Sequence, residues 1–79
     1  MTDHQALKRI AKNLRQFRED AGLSMNALAK LIDDYPATIQ RIEEGRHMPG
    51  IGLMTRLGEG LGKRLDDFVD EPKVFAEAS

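Results

Sequence analysis

The chain has 79 residues, 41% hydrophobic and 32% charged, with a formal net charge of -1, so it is expected to form one small domain with a core of marginal stability. It contains no cysteine, which excludes disulfides and thiolate metal sites. No apolar run approaches the roughly 20 residues of a membrane span, and the first residues are too polar for a secretory signal, so we expect a soluble cytoplasmic protein that does not contact membranes.

A first amphipathic helix is predicted near the N-terminus. Leu7, Ile10, Leu14 and Phe17 recur every three or four residues, which is the spacing of one buried helical face. Gly22 suits a left-handed C-terminal cap, so the helix is expected to end before it.

The same stretch is basic, although the net charge of the chain does not indicate a nucleic-acid binder. Its basic residues, with no acid among them, are Lys8, Arg9, Lys12, Arg15 and Arg18. Lys8, Lys12 and Arg15 share one helical face. This stripe is either the solvated side of the helix or a surface that faces DNA phosphates, and both interpretations stay open.

A second helix is predicted to begin after Ser24, a good N-cap residue. Asp33 and Asp34 do not continue a buried pattern, so the helix is expected to stop there. The positions expected to face the core are Leu28, Ala29 and Ile32.

Pro36 predicts the start of a third helix, because proline is favoured at the first helical position and keeps the preceding residue out of the helical region. Ile39 and Ile42 are expected to face inward, and Gly45 to end the helix. The outward face then carries Ala37, Gln40, Arg41 and Glu44.

Two further helices are predicted, at about 51–61 and 65–68. Four glycines lie in or beside the fourth helix, where an interior glycine costs up to about 1 kcal/mol relative to alanine. Close packing would explain small residues there, but a tolerated weak helix is the preferred interpretation. The domain is expected to cover 1–70, followed by a flexible tail, 71–79, which contains the helix breaker Pro72.

These elements resemble the helix-turn-helix repressors of the Cro and lambda-repressor type over about 10–68. The matching segments are FREDAGLS, LAKLI, TIQRIEEG, RHMP and LMTRLGEGLGKRLDDF, in order and without a gap. The resemblance implies an all-α, compact five-helix lambda-repressor-like domain in which helices 2 and 3 form the helix-turn-helix. It also implies a homodimer that binds double-stranded DNA at a roughly palindromic operator.

The resemblance also implies residue roles. Arg41, Gln40 and Ala37 match base-reading positions. Met25, Thr38, Arg46 and His47 match positions near the DNA backbone, to which the basic stripe adds Arg15. Arg18 and Glu43 match a structural ion pair between the first and third helices.

The chemistry of these residues limits what they can read. Arg41 can donate two hydrogen bonds to a guanine, which would discriminate against other bases by roughly 1 to 3 kcal/mol. The alternative is an ordinary exposed arginine that pairs with an acid. Gln40 can pair with adenine or phosphate, while Ala37 offers only a methyl group. Glu44 either accepts a hydrogen bond from a cytosine amino group, weakens DNA binding through its negative charge, or is a solvated acid without a function. Asp33 and Asp34 are expected to favour the start of the third helix and to repel nearby phosphate.

Nothing in the sequence favours catalysis. His4 and His47 are isolated, and no nucleophile with a base, no metal-ligand spacing and no cofactor motif stands out. Two hypotheses remain. The first is a dimeric, sequence-specific transcriptional regulator of phage or plasmid type, a repressor or an accessory regulator. The second is a protein-interaction module of the same fold, antitoxin-like or accessory, that binds a partner through its tail or its acidic turn.

Overall fold

The computed structural model describes residues 1–71, which form five α-helices and no strand. The all-α five-helix prediction is confirmed. The helices are α1 (Asp3–Asp20), α2 (Met25–Leu31), α3 (Pro36–Glu43), α4 (Ile51–Leu61) and α5 (Leu65–Val69). The predicted flexible tail, 71–79, lies outside the described residues except for Glu71.

The helix ends follow local side-chain chemistry. Thr2 and Gln5 form a reciprocal capping box at the start of α1, with both bonds 3.1 Å long. The Ser24 hydroxyl accepts from the N–H of Ala27 at 3.0 Å, which confirms the predicted cap of α2. Gly22 has φ +72° after α1, a left-handed conformation that favours glycine.

One hydrophobic core joins the helices, with α3 packed against α1 and α2, and α5 packed against α1 and α4. Its largest completely enclosed side chains are Phe68, Leu14, Leu28, Ile39, Ile42 and Leu57. Phe68 meets the Phe17 ring edge-on, with the ring centroids 5.2 Å apart. The inward positions predicted for α2 and α3 are buried, as are Ile10 and Leu14 of α1, whereas Phe17 is half-buried against the core and Leu7 is half-buried outside it.

A buried asparagine, which sequence periodicity does not single out, holds α5 in place. The Asn13 side-chain amide on α1 donates to the carbonyl oxygens of Phe68 and Asp70, both at 2.8 Å, and of Asp67 at 3.2 Å. A helix of five residues is too short to be stable alone. Its position therefore depends on Phe68 and on this amide.

Two of the glycines in α4 allow close contacts. A methyl group at Gly58 would lie 2.6 Å from the carbonyl oxygen of Lys63, and one at Gly60 would lie 3.0 Å from the Ile32 side chain. The preferred sequence interpretation, a merely tolerated weak helix, is wrong at these two positions. The glycines are small because neighbouring atoms already occupy the space of a side chain.

Candidate nucleic-acid interface

Helices α2 and α3 and the turn between them form the helix-turn-helix. Ile39 and Ile42 are completely buried (0% exposed), which fixes the rotation of α3 about its axis. The opposite face is open to solvent and presents Ala37, Gln40 and Arg41. The three side chains of the predicted base-reading set therefore lie on one exposed face.

An arginine from α4 holds the turn. Arg56 Nη1 donates to the carbonyl oxygens of Ile32 at 2.9 Å and of Asp33 at 3.3 Å, while Nη2 lies 3.4 Å from Asp34 Oδ2. Carbonyl groups near the end of α2 have no helical partner of their own, so the guanidinium satisfies them. Sequence analysis did not single out Arg56, because no periodicity relates a side chain of α4 to a turn 22 residues earlier.

The acidic turn is partly neutralised by these contacts. Asp34 Oδ1 accepts from the N–H of Tyr35 at 2.7 Å. That bond holds the pKa of Asp34 below its ordinary value, and Thr38 and Arg56 act in the same direction against the opposing effect of burial. Asp33 has φ +59°, a conformation that costs most residues free energy. The turn therefore stabilises the charge of Asp34 and strains the backbone of Asp33.

The structure brings Arg18 and Glu43 together across α1 and α3. Arg18 Nε lies 2.6 Å from Glu43 Oε2 and Nη2 lies 3.0 Å from Oε1, a two-bond geometry. The side chains are only 11% and 4% exposed. Arg18 also donates to the carbonyl oxygen of Leu23 at 2.9 Å, and its partner Glu43 raises its pKa. The pair ties α3 to α1, the longest helix of the described residues.

Glu44, at the end of α3, bonds two neighbouring residues. Its Oε2 accepts from the Gln40 side-chain amide at 3.1 Å, and its Oε1 accepts from Arg46 Nη1 at 3.3 Å. Both carboxylate oxygens are thus occupied, and both donors belong to the predicted DNA-contacting set. Glu44 lies on the outward side as expected, and its two bonds argue against the alternative of an unbonded, solvated acid.

Arg41 differs from the other arginines of this surface. Arg18, Arg46 and Arg56 each form an ion pair with an acid. Arg41 is exposed and forms no ion pair and no side-chain hydrogen bond with any residue of 1–71. Its guanidinium is therefore available to a ligand in front of α3.

The remaining predicted DNA-backbone residues are dispersed. His47 is exposed in the loop after α3, whereas Thr38 and Met25 are half-buried, and Met25 packs against the core. Arg15 lies on α1, 3.3 Å from Glu19, and lines a groove of about 510 Å³ between α1 and α5. No residue of α2 or α3 lines that groove. His47 therefore lies in the loop that follows α3, whereas Arg15 lies on α1 beside the groove toward α5.

The basic residues of α1 differ in what they contact. Arg9 reaches the end of α5, where it donates to the carbonyl oxygen of Val69 at 3.3 Å and lies 3.5 Å from Glu71. Lys8 and Lys12 are exposed and make no ion pair within the described part of the chain. All three residues of the predicted stripe, Lys8, Lys12 and Arg15, are therefore exposed to solvent, and Arg15 pairs with Glu19.

Neither a metal site nor a membrane span is found in the part of the chain that the structure describes. No three acidic or histidine side chains come together there as a metal ion would require. No helix among residues 1–71 is long and apolar enough to cross a bilayer.

Comparison with known proteins agrees with this geometry. Residues 9–67 match the helix-turn-helix domain family. The curated protein multiprotein-bridging factor 1a of Arabidopsis thaliana is 29% identical over 65 residues, which are 82% of this chain and 46% of that protein. An HTH_3 family transcriptional regulator from Vibrio cholerae has a solved structure with 30% identity and a TM-score of 0.79, covering 96% of this chain and 39% of its own.

The fold also occurs inside an enzyme. The hydroxypropylphosphonic acid epoxidase of S. wedmorenis is similar with 24% identity and a TM-score of 0.77, over 84% of this chain and 35% of that one. The chain thus spans less than half the length of these three proteins, and fold alone does not assign an activity. The match to the family covers well over half of the chain, which therefore belongs to the helix-turn-helix domain family of the Cro and lambda-repressor type.

Proposed function

We propose that this protein is a sequence-specific DNA-binding transcriptional regulator of phage or plasmid type. It acts in the cytoplasm as a homodimer on a roughly palindromic operator, as a repressor or an accessory regulator. The observation that supports this most is the exposed Arg41, which forms no ion pair within residues 1–71, on helix α3, whose rotation is fixed by Ile39 and Ile42.

In this proposal the exposed face of α3 enters the major groove. Arg41 donates to the O6 and N7 atoms of a guanine, Gln40 pairs with an adjacent base, and Ala37 allows close approach or meets a thymine methyl group. Contacts to the DNA backbone come from Met25, Thr38, Arg46, His47 and Arg15.

Rigid positioning of α3 supports this role. Base edges are discriminated by hydrogen bonds whose geometry is narrow, so the reading helix has to be held in a fixed orientation. The buried pair of Arg18 and Glu43 holds α3 to α1, and Arg56 holds the turn before it. No enzyme chemistry is needed in this proposal.

The test compares three single variants after sequences have been selected from random duplexes. Arg41→Ala is expected to relax base preference at one position in each half-site, while Arg46→Ala weakens binding to all sequences alike. Arg64→Ala is the matched control, since Arg64, the residue just before α5, is exposed and in no ion pair within 1–71. Equal losses on every sequence from Arg41→Ala and Arg46→Ala would remove Arg41 from the reading role.

A second candidate is a protein-interaction module with weak or no DNA binding. It is favoured by the similarity to a protein named as a bridging factor and by the many arginines already paired with acids. In that case the partner is bound through the tail or the turn. Failure of the wild-type protein to prefer any fragment at physiological salt would favour this candidate over the regulator.

A further inference from the structure

Glu44 lies where a negative charge has little structural justification. It is the C-cap residue of α3, and the carboxyl end of a helix favours cations over anions. Its carboxylate contributes nothing to the core, since 41% of the side chain is exposed. Helix stability therefore does not explain an acid at this position.

The contacts of Glu44 involve the DNA-contacting set. The side-chain amide of Gln40 and the guanidinium of Arg46 each donate to one of its two oxygens, at 3.1 and 3.3 Å. A phosphate oxygen would compete for these same donors. Arg46 is 72% exposed, so DNA can reach it once the bond to Glu44 breaks.

We propose that Glu44 sets the DNA affinity and selectivity of this protein by holding Gln40 and Arg46 in a side-chain bridge that DNA has to open. This inference rests on the proposed DNA-binding function. A duplex that offers Gln40 a matching base replaces the bond it breaks, whereas a duplex without that base does not. Glu44 also lies within one Debye length of any phosphate that Arg46 contacts, so its negative charge repels that phosphate and weakens binding to DNA of every sequence.

The test is the affinity for a random-sequence duplex, measured by fluorescence anisotropy at several salt concentrations with the full chain. Glu44→Gln removes the charge but keeps the shape. It is expected to tighten binding by up to about fivefold, the range of one exposed ion pair. The plot of log affinity against log salt should steepen by up to about 0.9, because Arg46 then contacts a phosphate in every complex instead of only in those complexes where the bridge has opened.

Two controls make the result specific. Glu59→Gln makes the same change of charge at an exposed acid of α4 that forms no ion pair within 1–71, and the salt slope should stay that of wild type. In the Arg46→Ala background, Glu44→Gln should no longer steepen the slope, because the released group is absent. Thermal unfolding of Glu44→Gln is expected at or above the wild-type temperature, which excludes a folding defect.

The outcomes separate the two proposals. If wild type binds DNA and Glu44→Gln behaves like Glu59→Gln, the bridge has no role while the regulator proposal stands. If Glu44→Gln steepened the salt slope by the same amount in the Arg46→Ala background, the bridge proposal would also be overturned. If Glu44→Gln binds DNA and wild type does not, the bridge proposal is supported. If neither protein binds any duplex, both proposals fail.

Discussion

Removing the cation of the buried pair should destabilise the domain severely. Arg18→Met keeps most of the aliphatic volume but leaves the carboxylate of Glu43, 4% exposed, without its partner. Removing one partner of a buried ion pair lowers the free energy of unfolding by about 3–5 kcal/mol. At about 0.05–0.15 kcal/mol per residue, the whole domain has only about 4–12 kcal/mol of stability. The loss is therefore a large fraction of the total.

Urea unfolding followed by far-UV circular dichroism measures this loss directly. The matched control is Arg15→Met, whose pair with Glu19 is 67% and 50% exposed and should be worth less than about 1 kcal/mol. The double variant Arg18→Met with Glu43→Leu should recover most of the lost stability, because no buried charge remains. A cost for Arg18→Met no larger than that of Arg15→Met would refute the claim that this pair fixes α3 to α1.

Three further predictions concern the turn and α4. At Asp33, with φ +59°, Asp33→Gly should raise the free energy of unfolding by up to about 1 kcal/mol, whereas Asp33→Ala should not, as urea unfolding of both will show. The folded-state pKa of Asp34 is depressed, so the stability that its carboxylate contributes is present above the unfolded pKa of about 3.9 and is lost as pH falls through the folded pKa. Between pH 7 and pH 2 the melting temperature should therefore fall less for Asp34→Asn than for wild type, and Glu59→Gln is the control. Gly58→Ala should lower the free energy of unfolding by about 1–3 kcal/mol, because its methyl group would meet the Lys63 carbonyl oxygen. Gly52→Ala should raise it, since no atom of residues 1–71 lies within 4 Å of the added methyl group; equal effects of the two changes in urea unfolding would contradict the close contact at Gly58.

The helices and their buried faces were predictable because periodicity and capping act within a few residues. Ser24 begins α2 through its side-chain hydroxyl, while Pro36 and Gly22 begin and end helices through their own backbone conformation. Ile39 and Ile42 are three apart, and that spacing alone puts both on the inner face. The same spacing places Arg41 outside.

The contacts missed from the sequence join residues far apart in the chain. Arg56 bonds the turn, and Asn13 bonds the end of α5 across more than 50 positions. Both donate to backbone carbonyl groups, and because every residue has one, the sequence does not show which carbonyl group accepts the bond. Gly58 was misinterpreted for a related reason, since the atom that fills its side-chain space belongs to the backbone of Lys63.

Glu44 was placed correctly but its bonding was not predicted. The spacing of Gln40 and Glu44 puts them one helical turn apart, a pairing that the sequence allows. The bond to Arg46 depends on how the chain leaves α3, which periodicity does not describe. The sequence therefore identified the surface, while the state of its side chains came from the structure.

The most direct test of the regulator proposal is the ratio of two affinities at physiological salt. One is for the best sequence selected from random duplexes, and the other is for a scrambled duplex of the same composition. Specific binders typically show a ratio of about a thousandfold or more, and we predict that range with a two-fold-symmetric selected site. A ratio near one, with no enriched sequence, would contradict sequence-specific DNA binding by this protein.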